Sequence, residues 1–315
     1  MAIPASGTLT LQQIATEFGG TQPISLNQYY RGGSLVPNIP ANIAVPTSGL
    51  ITMGNFYGTT HAFVFTPTIA SNTANYNLGT AATAAGWDGV LPIISTITIN
   101  SGIYVYSSTT ATAAFIVPTL PAGSTVLVNN SGAISGMGGA GGIGGDYNFS
   151  GCYGTAGASG ADGGPAIQIA YNTTINNYGT VAGGGGGGGG GGSTSFGSPG
   201  GAVSAGGGGG GGGACFVNSG GGARGCYRYY SLWPDAPGTD GGTGTWSGGG
   251  GGGAAGMNNG NYGGTGGSGG FLGTAGNAGG GGNQGSGAAG AAGRAVYATA
   301  GTITFATLGT VYGAY

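Results

Sequence analysis

Aromatic residues and arginines crowd one short stretch of the chain, from Cys215 to Pro234. Aromatic rings stack on flat partners such as sugars, and arginine brings a planar set of hydrogen-bond donors, so this combination is typical of binding hot spots. The stretch therefore predicts a surface that contacts a receptor. The alternative is a hydrophobic clamp that packs on its own chain or on another subunit.

Other aromatic residues interrupt the surrounding glycine, and we expect several of these interruptions to form neighbouring loops at one end of the molecule. The residues that we predict to contact a receptor are Arg224, Tyr227, Arg228, Tyr229, Tyr230, Trp233, Tyr147, Phe149, Tyr153, Trp246 and Tyr262.

Catalytic chemistry has little support in the residue types. The chain has one histidine, His61, and its carboxylates are dispersed, so neither a catalytic triad nor a paired acid and base stands out. It has no lysine, so none of its glycine runs can be a phosphate-binding loop. We expect no catalytic residue, and a depolymerase whose carboxylates meet only in the folded protein is the remaining enzymatic alternative.

Charge is scarce throughout the chain. Charged residues make up 3% of it, and its only cations besides the amino terminus are four arginines. Binding to nucleic acid needs clustered cations, so we set that class of protein aside. The amino terminus lacks the pattern of a signal peptide, and no stretch of 18 apolar residues occurs, so we expect neither classical secretion nor membrane insertion.

Glycine must form much of the structure that positions the aromatic residues. The chain has 84 glycines, with uninterrupted runs at 183–192, 206–213, 248–253 and 279–282. Disordered tracts usually carry charge and few aromatics, whereas here 10% of the residues are aromatic. The composition therefore favours an ordered lattice over a flexible linker.

Polyglycine II helices would order this glycine. Such a helix has three residues per turn and no internal hydrogen bonds, so its amides and carbonyls must pair with neighbouring helices. Glycines recur at every third position in 154–163 and in 287–293, as expected for outer helices of a bundle. We expect an alanine in the middle of Gly183–Gly192 to destabilise the protein by steric clash.

Strand patterns lie on both sides of the main glycine mass. Runs of β-branched and aromatic residues between 63 and 128 are separated by turn residues and predict a small all-β module or stacked rungs. Similar runs follow at 167–169, 174–175, 295–297 and 303–305. The predicted fold class is therefore mostly β and irregular, with a packed polyglycine II helix bundle and interleaved strands.

The predicted domain organisation has four parts. They are an N-terminal attachment arm (1–60), a β-rich module (61–131), a glycine-rich domain with aromatic loops (132–294), and C-terminal strands that pack back on the β module (295–315).

The first 60 residues use one element twice, at Pro4–Leu11 and again at Pro46–Met53. Thr10 and Gln13 have the spacing of a capping box, which predicts a short helix ending at Gly19-Gly20. A helical turn closed by Gly58 is expected in the second copy, with extended chain between the copies. We interpret this segment as an arm that docks on a partner, and the alternative is a strap along its own chain. Its predicted attachment residues are Leu11, Ile14, Phe18, Tyr29, Tyr30, Arg31, Phe56 and Tyr57.

Three stretches of the chain resemble glycine-rich tail-fibre and receptor-binding proteins of tailed bacteriophages. They are residues 3–33, residues 46–49, and Thr174–Ala182 leading into a long glycine run, the last being the most specific. The resemblance implies stacked polyglycine II helices, a virion tail protein and a non-enzymatic adhesin. The N-terminal stretches also resemble phage structural proteins, so a baseplate, fibre-connector or head-decoration protein is the alternative.

The resemblance further implies partners and a location. Other tail proteins would bind the N-terminal arm, a glycan or an outer-membrane protein of the bacterium would be the receptor, and a homotrimer is an option by analogy. The protein would be made in the host cytoplasm, which is reducing, so free buried thiols compete with a disulfide between Cys215 and Cys226 that leaves Cys152 unpaired. The cysteine spacing does not match a zinc site, and we expect neither a metal nor a cofactor.

Overall fold

The computed structural model describes residues 3–148, 153–196, 203–205, 207–208, 210–216, 218–225, 238–258 and 261–315. This part of the chain is mostly strands and irregular backbone, which confirms the predicted fold class. It divides into two compact units. Unit 1 comprises Met1–Pro67, Gly79–Ile97 and Leu120–Leu127, and unit 2 comprises Thr68–Leu78, Thr98–Thr119 and Val128–Tyr315.

The described helices are few and short. They are α1 (Leu11–Phe18), α2 (Leu78–Ala84) and 3-10 turns at Leu26–Gln28, Pro40–Asn42 and Met53–Phe56.

The strands, in chain order, are β1 (Phe63–Phe65), β2 (Thr68–Ile69), β3 (Thr73–Ala74), β4 (Tyr76–Asn77), β5 (Ile93–Ile99), β6 (Tyr104–Tyr106), β7 (Phe115–Val117), β8 (Thr125–Asn130), β9 (Ala133–Ser135), β10 (Tyr147–Asn148), β11 (Tyr153–Gly154), β12 (Ile167–Ile169), β13 (Thr173–Asn177), β14 (Thr180–Ala182), β15 (Thr194–Phe196), β16 (Val203–Ala205), β17 (Met257–Asn258), β18 (Asn261–Tyr262), β19 (Val296–Ala298), β20 (Ile303–Thr307) and β21 (Thr310–Tyr312).

Capping boxes begin both predicted helical elements of unit 1. The Thr10 side chain accepts a hydrogen bond from the backbone N–H of Gln13, whose side chain accepts one from the backbone of Thr10, and α1 ends at Gly19. Thr52 and Asn55 form the same arrangement at the 3-10 turn of the second copy. These two predictions are confirmed. Pro40, which we expected in extended chain, instead begins a 3-10 turn, because its fixed φ suits the first helical position.

Unit 1 has a hydrophobic core of its own. The core contains both copies of the repeated element and the chain between them. Its fully or almost fully buried members are Ile3, Ile14, Phe18, Tyr29, Val36, Val45, Ile51 and Phe56. Phe56 lies edge-on to both Phe18 and Tyr29, at centroid distances of 6.2 and 6.1 Å. The N-terminal segment therefore packs on itself within its unit.

Unit 2 contains stacked rungs of parallel strands. One sheet has the order β21-β14-β9-β6-β3 and another has the order β19-β12-β7-β4, with every neighbouring pair parallel. In unit 2, β13 also pairs in parallel with β20. Each circuit of the chain thus adds one strand to each face, as in a β-helix. In β7 and β12, Phe115, Val117, Ile167 and Ile169 are completely buried, whereas Ile116 and Gln168 between them are only partly buried.

Buried asparagines connect successive rungs. The Asn130 amide donates to the Asn177 side-chain oxygen at 2.8 Å, and the Asn177 amide donates to the Leu308 carbonyl at 2.7 Å. Both asparagines are completely buried. Their hydrogen bonds satisfy backbone groups where the chain turns between faces, which is why polar side chains are tolerated there.

The short helix α2 was not predicted, because its sequence, Leu-Gly-Thr-Ala-Ala-Thr-Ala, lies inside the range that we assigned to β structure. Alanine has the strongest helix propensity, but the segment has neither an amphipathic repeat nor the charges typical of helix ends.

Glycine-rich segments leave the rungs twice, between β9 and β12 and between β14 and β19. We call them together the glycine lattice. Its centre is Gly183–Gly192, whose N–H groups donate to three neighbouring segments in turn over distances of 2.7 to 3.2 Å. Gly184, Gly187 and Gly190 donate to Gly164, Ala161 and Ala158; Gly185, Gly188 and Gly191 donate to Ala214, Gly211 and Gly208; Gly186, Gly189 and Gly192 donate to Thr274, Asn277 and Gly280.

The carbonyls of the same run accept hydrogen bonds from other segments with the same period. Gly185 accepts from Gly139, Gly186 accepts from Gly270, and Gly184 accepts from Gly293. A repeat of three residues is the period of a polyproline II-type helix, so the pattern supports the predicted bundle. The close packing of the segments explains why this run has no side chains, since a Cβ on Gly187 would overlap the Ala140 carbonyl oxygen.

Candidate functional site

The central glycine run distinguishes two ends of the lattice. At Gly183 the N–H donates to the Tyr312 carbonyl of β21, and we call this the rung end. At Gly192 the N–H donates to Gly280, and we call this the outer end. Successive glycine segments run between the two ends, so the turns that join them alternate between the ends.

Antiparallel hairpins occupy the outer end. β10 pairs with β11, β15 with β16, and β17 with β18. β11 contacts β15, and β16 contacts both β17 and β18, so the hairpins lie side by side. Tyr147 and Tyr153, which we predicted as receptor contacts, lie on the first hairpin, and Tyr262 lies on the third with 62% of its surface exposed.

Side-chain hydrogen bonds hold these hairpins to each other and to the lattice. The buried Thr194 hydroxyl donates to the Tyr262 carbonyl at 2.7 Å. The Ser193 hydroxyl donates to the Thr155 carbonyl at 2.9 Å, directly after the first hairpin. The outer end is thus one connected surface and not a set of separate loops.

Arg224 also lies at the outer end. The N–H of the next residue, Gly225, donates to Gly207, and the Arg224 N–H donates to the Asp240 carboxylate at 2.9 Å. Its guanidinium reaches the Gly238 carbonyl at 3.5 Å. The predicted contacts Tyr227, Arg228, Tyr229, Tyr230, Trp233 and Phe149 lie outside the described residues, as do Cys226 and Cys152. The chain on both sides of 226–237 is at the outer end.

Trp246 is at the rung end, so the structure does not bring it together with Tyr262 and Arg224. Its ring lies edge-on to Tyr104 of β6 at 5.3 Å, and Phe216 stacks on the same Tyr104 at 4.1 Å. These contacts correspond to a clamp between the lattice and the rungs.

A cavity of about 440 Å³ lies beside this clamp. No local pattern in the sequence marks this cavity, because its walls come from distant parts of the chain. They are Thr180, Trp246, Ser247, Phe271, Leu272, Thr274 and Tyr312. The order of the glycine segments does indicate where the turns lie. Because successive turns alternate between the two ends of the lattice, the turns at Trp246 and Phe271 lie at one end and the hairpins lie at the other.

The predicted attachment residues all lie in unit 1. Ile14, Phe18, Tyr29 and Phe56 are core residues. The other predicted residues, Leu11, Tyr30, Arg31 and Tyr57, are partly or more fully exposed. Arg31 Nε donates to the Val45 carbonyl at 3.1 Å, and the hydroxyls of Tyr30 and Tyr57 donate to the carbonyls of Gly49 and Gly7.

Metal-binding and reactive groups are sparse where the structure can be described. In that part of the chain, no cluster of three or more histidine, cysteine, aspartate or glutamate side chains could hold a metal ion. Burial raises the pKa of the Cys215 thiol, and hydrogen bonds with Gly138 and Ser219 oppose that increase only in part. Within the described ranges, no helix has the length and hydropathy to cross a membrane.

Hairpins carried at one end of a hydrogen-bonded framework define a binding protein, since binding residues are commonly carried by loops on such frameworks. The family model of the phage tail fibre adhesin Gp38 matches residues 64–315. The chain therefore belongs to the Gp38 family of phage tail fibre adhesins, and it is a receptor-binding adhesin of the virion tail. The predicted adhesin function is confirmed.

One solved structure is similar over 99% of both chains, with 22% sequence identity and a TM-score of 0.48. It is the gp37–gp38 adhesin tip complex of the long tail fibre of bacteriophage S16. No curated protein matches the chain.

Proposed function

We propose that the outer end of the glycine lattice is the surface that contacts the bacterial receptor. The observation that carries this proposal is the convergence of hairpins from separate parts of the chain on one connected surface, with Tyr262 exposed on it. The residues on either side of 226–237, Gly225 and Gly238, lie at the same surface, and the sequence between them has the densest aromatic and arginine content of the chain. A glycan or an outer-membrane protein would then meet aromatic rings and arginines together.

The lattice explains how such a surface is held without a hydrophobic core beneath it. Its hydrogen bonds join backbone groups, so they depend little on which side chains the turns carry. Attachment of the virion needs binding and no bond cleavage, and we propose that the adhesin is non-enzymatic. Synthesis in the host cytoplasm and assembly as a homotrimer stay predictions.

We further propose that unit 1 docks on other tail proteins. Leu50 is 86% exposed and Ile43 is 69% exposed, so two large apolar side chains of unit 1 are open to a partner. Val64 of β1 is 47% exposed and lines a cavity of about 330 Å³ with Ile39 and Phe65. The buried attachment residues Ile14, Phe18, Tyr29 and Phe56 would support this surface from within.

Phage particles that carry altered adhesins test the receptor surface. We expect replacement of Tyr262 together with Tyr229, Tyr230 and Trp233 by alanine to lower the adsorption rate at least about tenfold, because aromatic anchors dominate binding energy. Particles counted by electron microscopy should be as numerous and as complete as the parent.

The matched control is Tyr178→Ala, which removes a tyrosine that is 65% exposed in unit 2 directly after β13. It should adsorb as the parent does. Normal adsorption by the quadruple variant would refute the outer-end proposal, and loss of assembled particles would point to a structural role for these residues.

A further inference from the structure

Another cavity lies at the rung end, away from the hairpins. Its volume is about 300 Å³, at the lower limit of the range of about 300 to 1,000 Å³ that is usual for small-ligand sites. Its walls are Ala111, Asp162, Gly163, Pro165, Gln168, Ala291, Ala292, Gly293, Arg294 and Tyr297. In a chain with 3% charged residues, one cavity thus has both a carboxylate and a guanidinium.

The guanidinium of Arg294 has hydrogen-bonding capacity to spare. Arg31 and Arg224 donate to protein acceptors, but among the described residues no partner accepts a hydrogen bond from the Arg294 side chain. It lies over the Tyr297 ring, whose centroid is 5.8 Å from Cζ. This contact orients the guanidinium and leaves its N–H groups available to a ligand.

The acceptor groups of the cavity are also fixed in place. One carboxylate oxygen of Asp162 accepts the Ala291 N–H at 2.7 Å, which leaves lone pairs of the carboxylate for a second donor. Gln168 is the register partner of Tyr297 on neighbouring parallel strands, so both side chains emerge on the same outward face. Gln168 adds an amide that both donates and accepts.

We infer that this cavity binds a neutral saccharide through adjacent hydroxyl groups. A sugar hydroxyl can donate to Asp162 while its neighbour accepts from Arg294, and Gln168 can serve either. The paired opposite charges favour a neutral ligand, since an anion would meet the carboxylate and a cation the guanidinium. The inference rests on the proposed receptor-binding function and adds a glycan site that is separate from the outer end.

Saturation-transfer NMR with the purified full-length protein tests this site directly. The probes are glucose, galactose and N-acetylglucosamine with their short oligomers, compared with sialylated and phosphorylated sugars. We expect at least one neutral saccharide to bind, and titration calorimetry should then show affinity at least about tenfold weaker for Arg294→Ala, which loses a charge-assisted hydrogen bond. Asp162→Asn keeps the bond to Ala291 and should weaken binding several-fold.

Tyr178→Ala is the control and should bind the saccharide as the parent does. Wild-type-like affinity in Arg294→Ala, binding of charged sugars alone, or binding of no sugar would each overturn the inference. None of these outcomes bears on the outer end, because phage adsorption by the Tyr262 variant reports on that surface independently. Failure of the outer-end test with intact saccharide binding would overturn only the proposed receptor surface.

Discussion

The rungs and the glycine lattice of unit 2 are both ordered, but they differ in the interactions that stabilise them. In the rungs, side chains such as Phe115 and Ile167 are buried, and alternate residues point outward. In the central run of the lattice, Gly183–Gly192, only backbone is buried, and the hydrogen-bond pattern repeats every three residues. The rungs are therefore stabilised mainly by burial of apolar surface, and the lattice mainly by hydrogen bonds between chains.

This difference determines which substitutions each region tolerates. A rung loses stability when atoms are removed from its core, because a cavity remains. The lattice loses stability when atoms are added, because the carbonyl oxygens of neighbouring segments already occupy the space. Substitutions that remove atoms from the rungs and substitutions that add atoms to the lattice therefore test the two modes of stabilisation separately.

The largest expected effect is that of Phe115→Ala. Phe115 is completely buried and stacks on Tyr76 with ring centroids 5.2 Å apart. We expect the free energy of unfolding to fall by about 3 to 5 kcal/mol, as is usual when a buried phenylalanine is truncated. Chemical denaturation measures the loss. The control Phe271→Ala removes a ring that is 66% exposed and should change the stability by about 0.5 kcal/mol or less. Equal losses in the two variants would contradict the assignment of Phe115 to a packed core.

Gly187→Ala should have the next largest effect. The added methyl group would overlap the Ala140 carbonyl oxygen, and backbone on that side cannot move without breaking neighbouring hydrogen bonds. We expect a loss of about 3 kcal/mol, the upper end for overpacking, measured by thermal unfolding. In the matched control Gly251→Ala, the Cβ meets nothing within 4 Å and the melting temperature should stay near that of the parent. An unchanged melting temperature in Gly187→Ala would rule out the packed interior.

The smallest effect concerns a polar group in the rungs and depends on pH. The Tyr76 hydroxyl is buried with no hydrogen-bond partner among the described residues, and burial raises its pKa to about 12 from an ordinary value of 10. Ionisation of this hydroxyl costs more in the folded than in the unfolded protein. The free energy of unfolding is therefore unaffected by the ionisation below pH 10 and falls as the pH rises from 10 to 12. We expect Tyr76→Phe to melt at least as high as the parent at pH 7.

Thermal unfolding at pH 9 and pH 11 completes that test. Between pH 9 and pH 11, the melting temperature of the parent should fall further than that of Tyr76→Phe, since only the parent has the buried hydroxyl. Parallel losses in both proteins would show that Tyr76 does not titrate with a raised pKa.

Patterns of side chains allowed the longer strands and the capped helices to be predicted. β5 and β7 have β-branched or aromatic residues at alternate positions, and α1 has a capping box at Thr10. The two-residue strands β2 to β4 are too short to carry a period, and their conformation depends on the parallel partners beside them. Local sequence therefore identified elements only where they exceed about one period of their pattern.

The candidate site was predicted in part for a related reason. Aromatic interruptions marked the turns of the lattice, but their position in sequence does not say at which end a turn lies. Tyr262 and Trp246 are only 16 residues apart and lie at opposite ends, because one glycine segment runs between them. The cavity at Arg294 combines residues from three distant segments and has no local signature.

The entry and exit of the lattice have a mechanical consequence. The chain enters at Gly136 and Gly183 and leaves before β19, and all of these points lie at the rung end, opposite the hairpins. A force applied to the hairpins pulls each glycine segment along its length, and the hydrogen bonds between segments run across that direction. Such bonds are loaded in shear, so many must break together before a segment slides. At the receptor surface proposed above, the pull of a bound cell would act along this axis, on which the lattice resists force most.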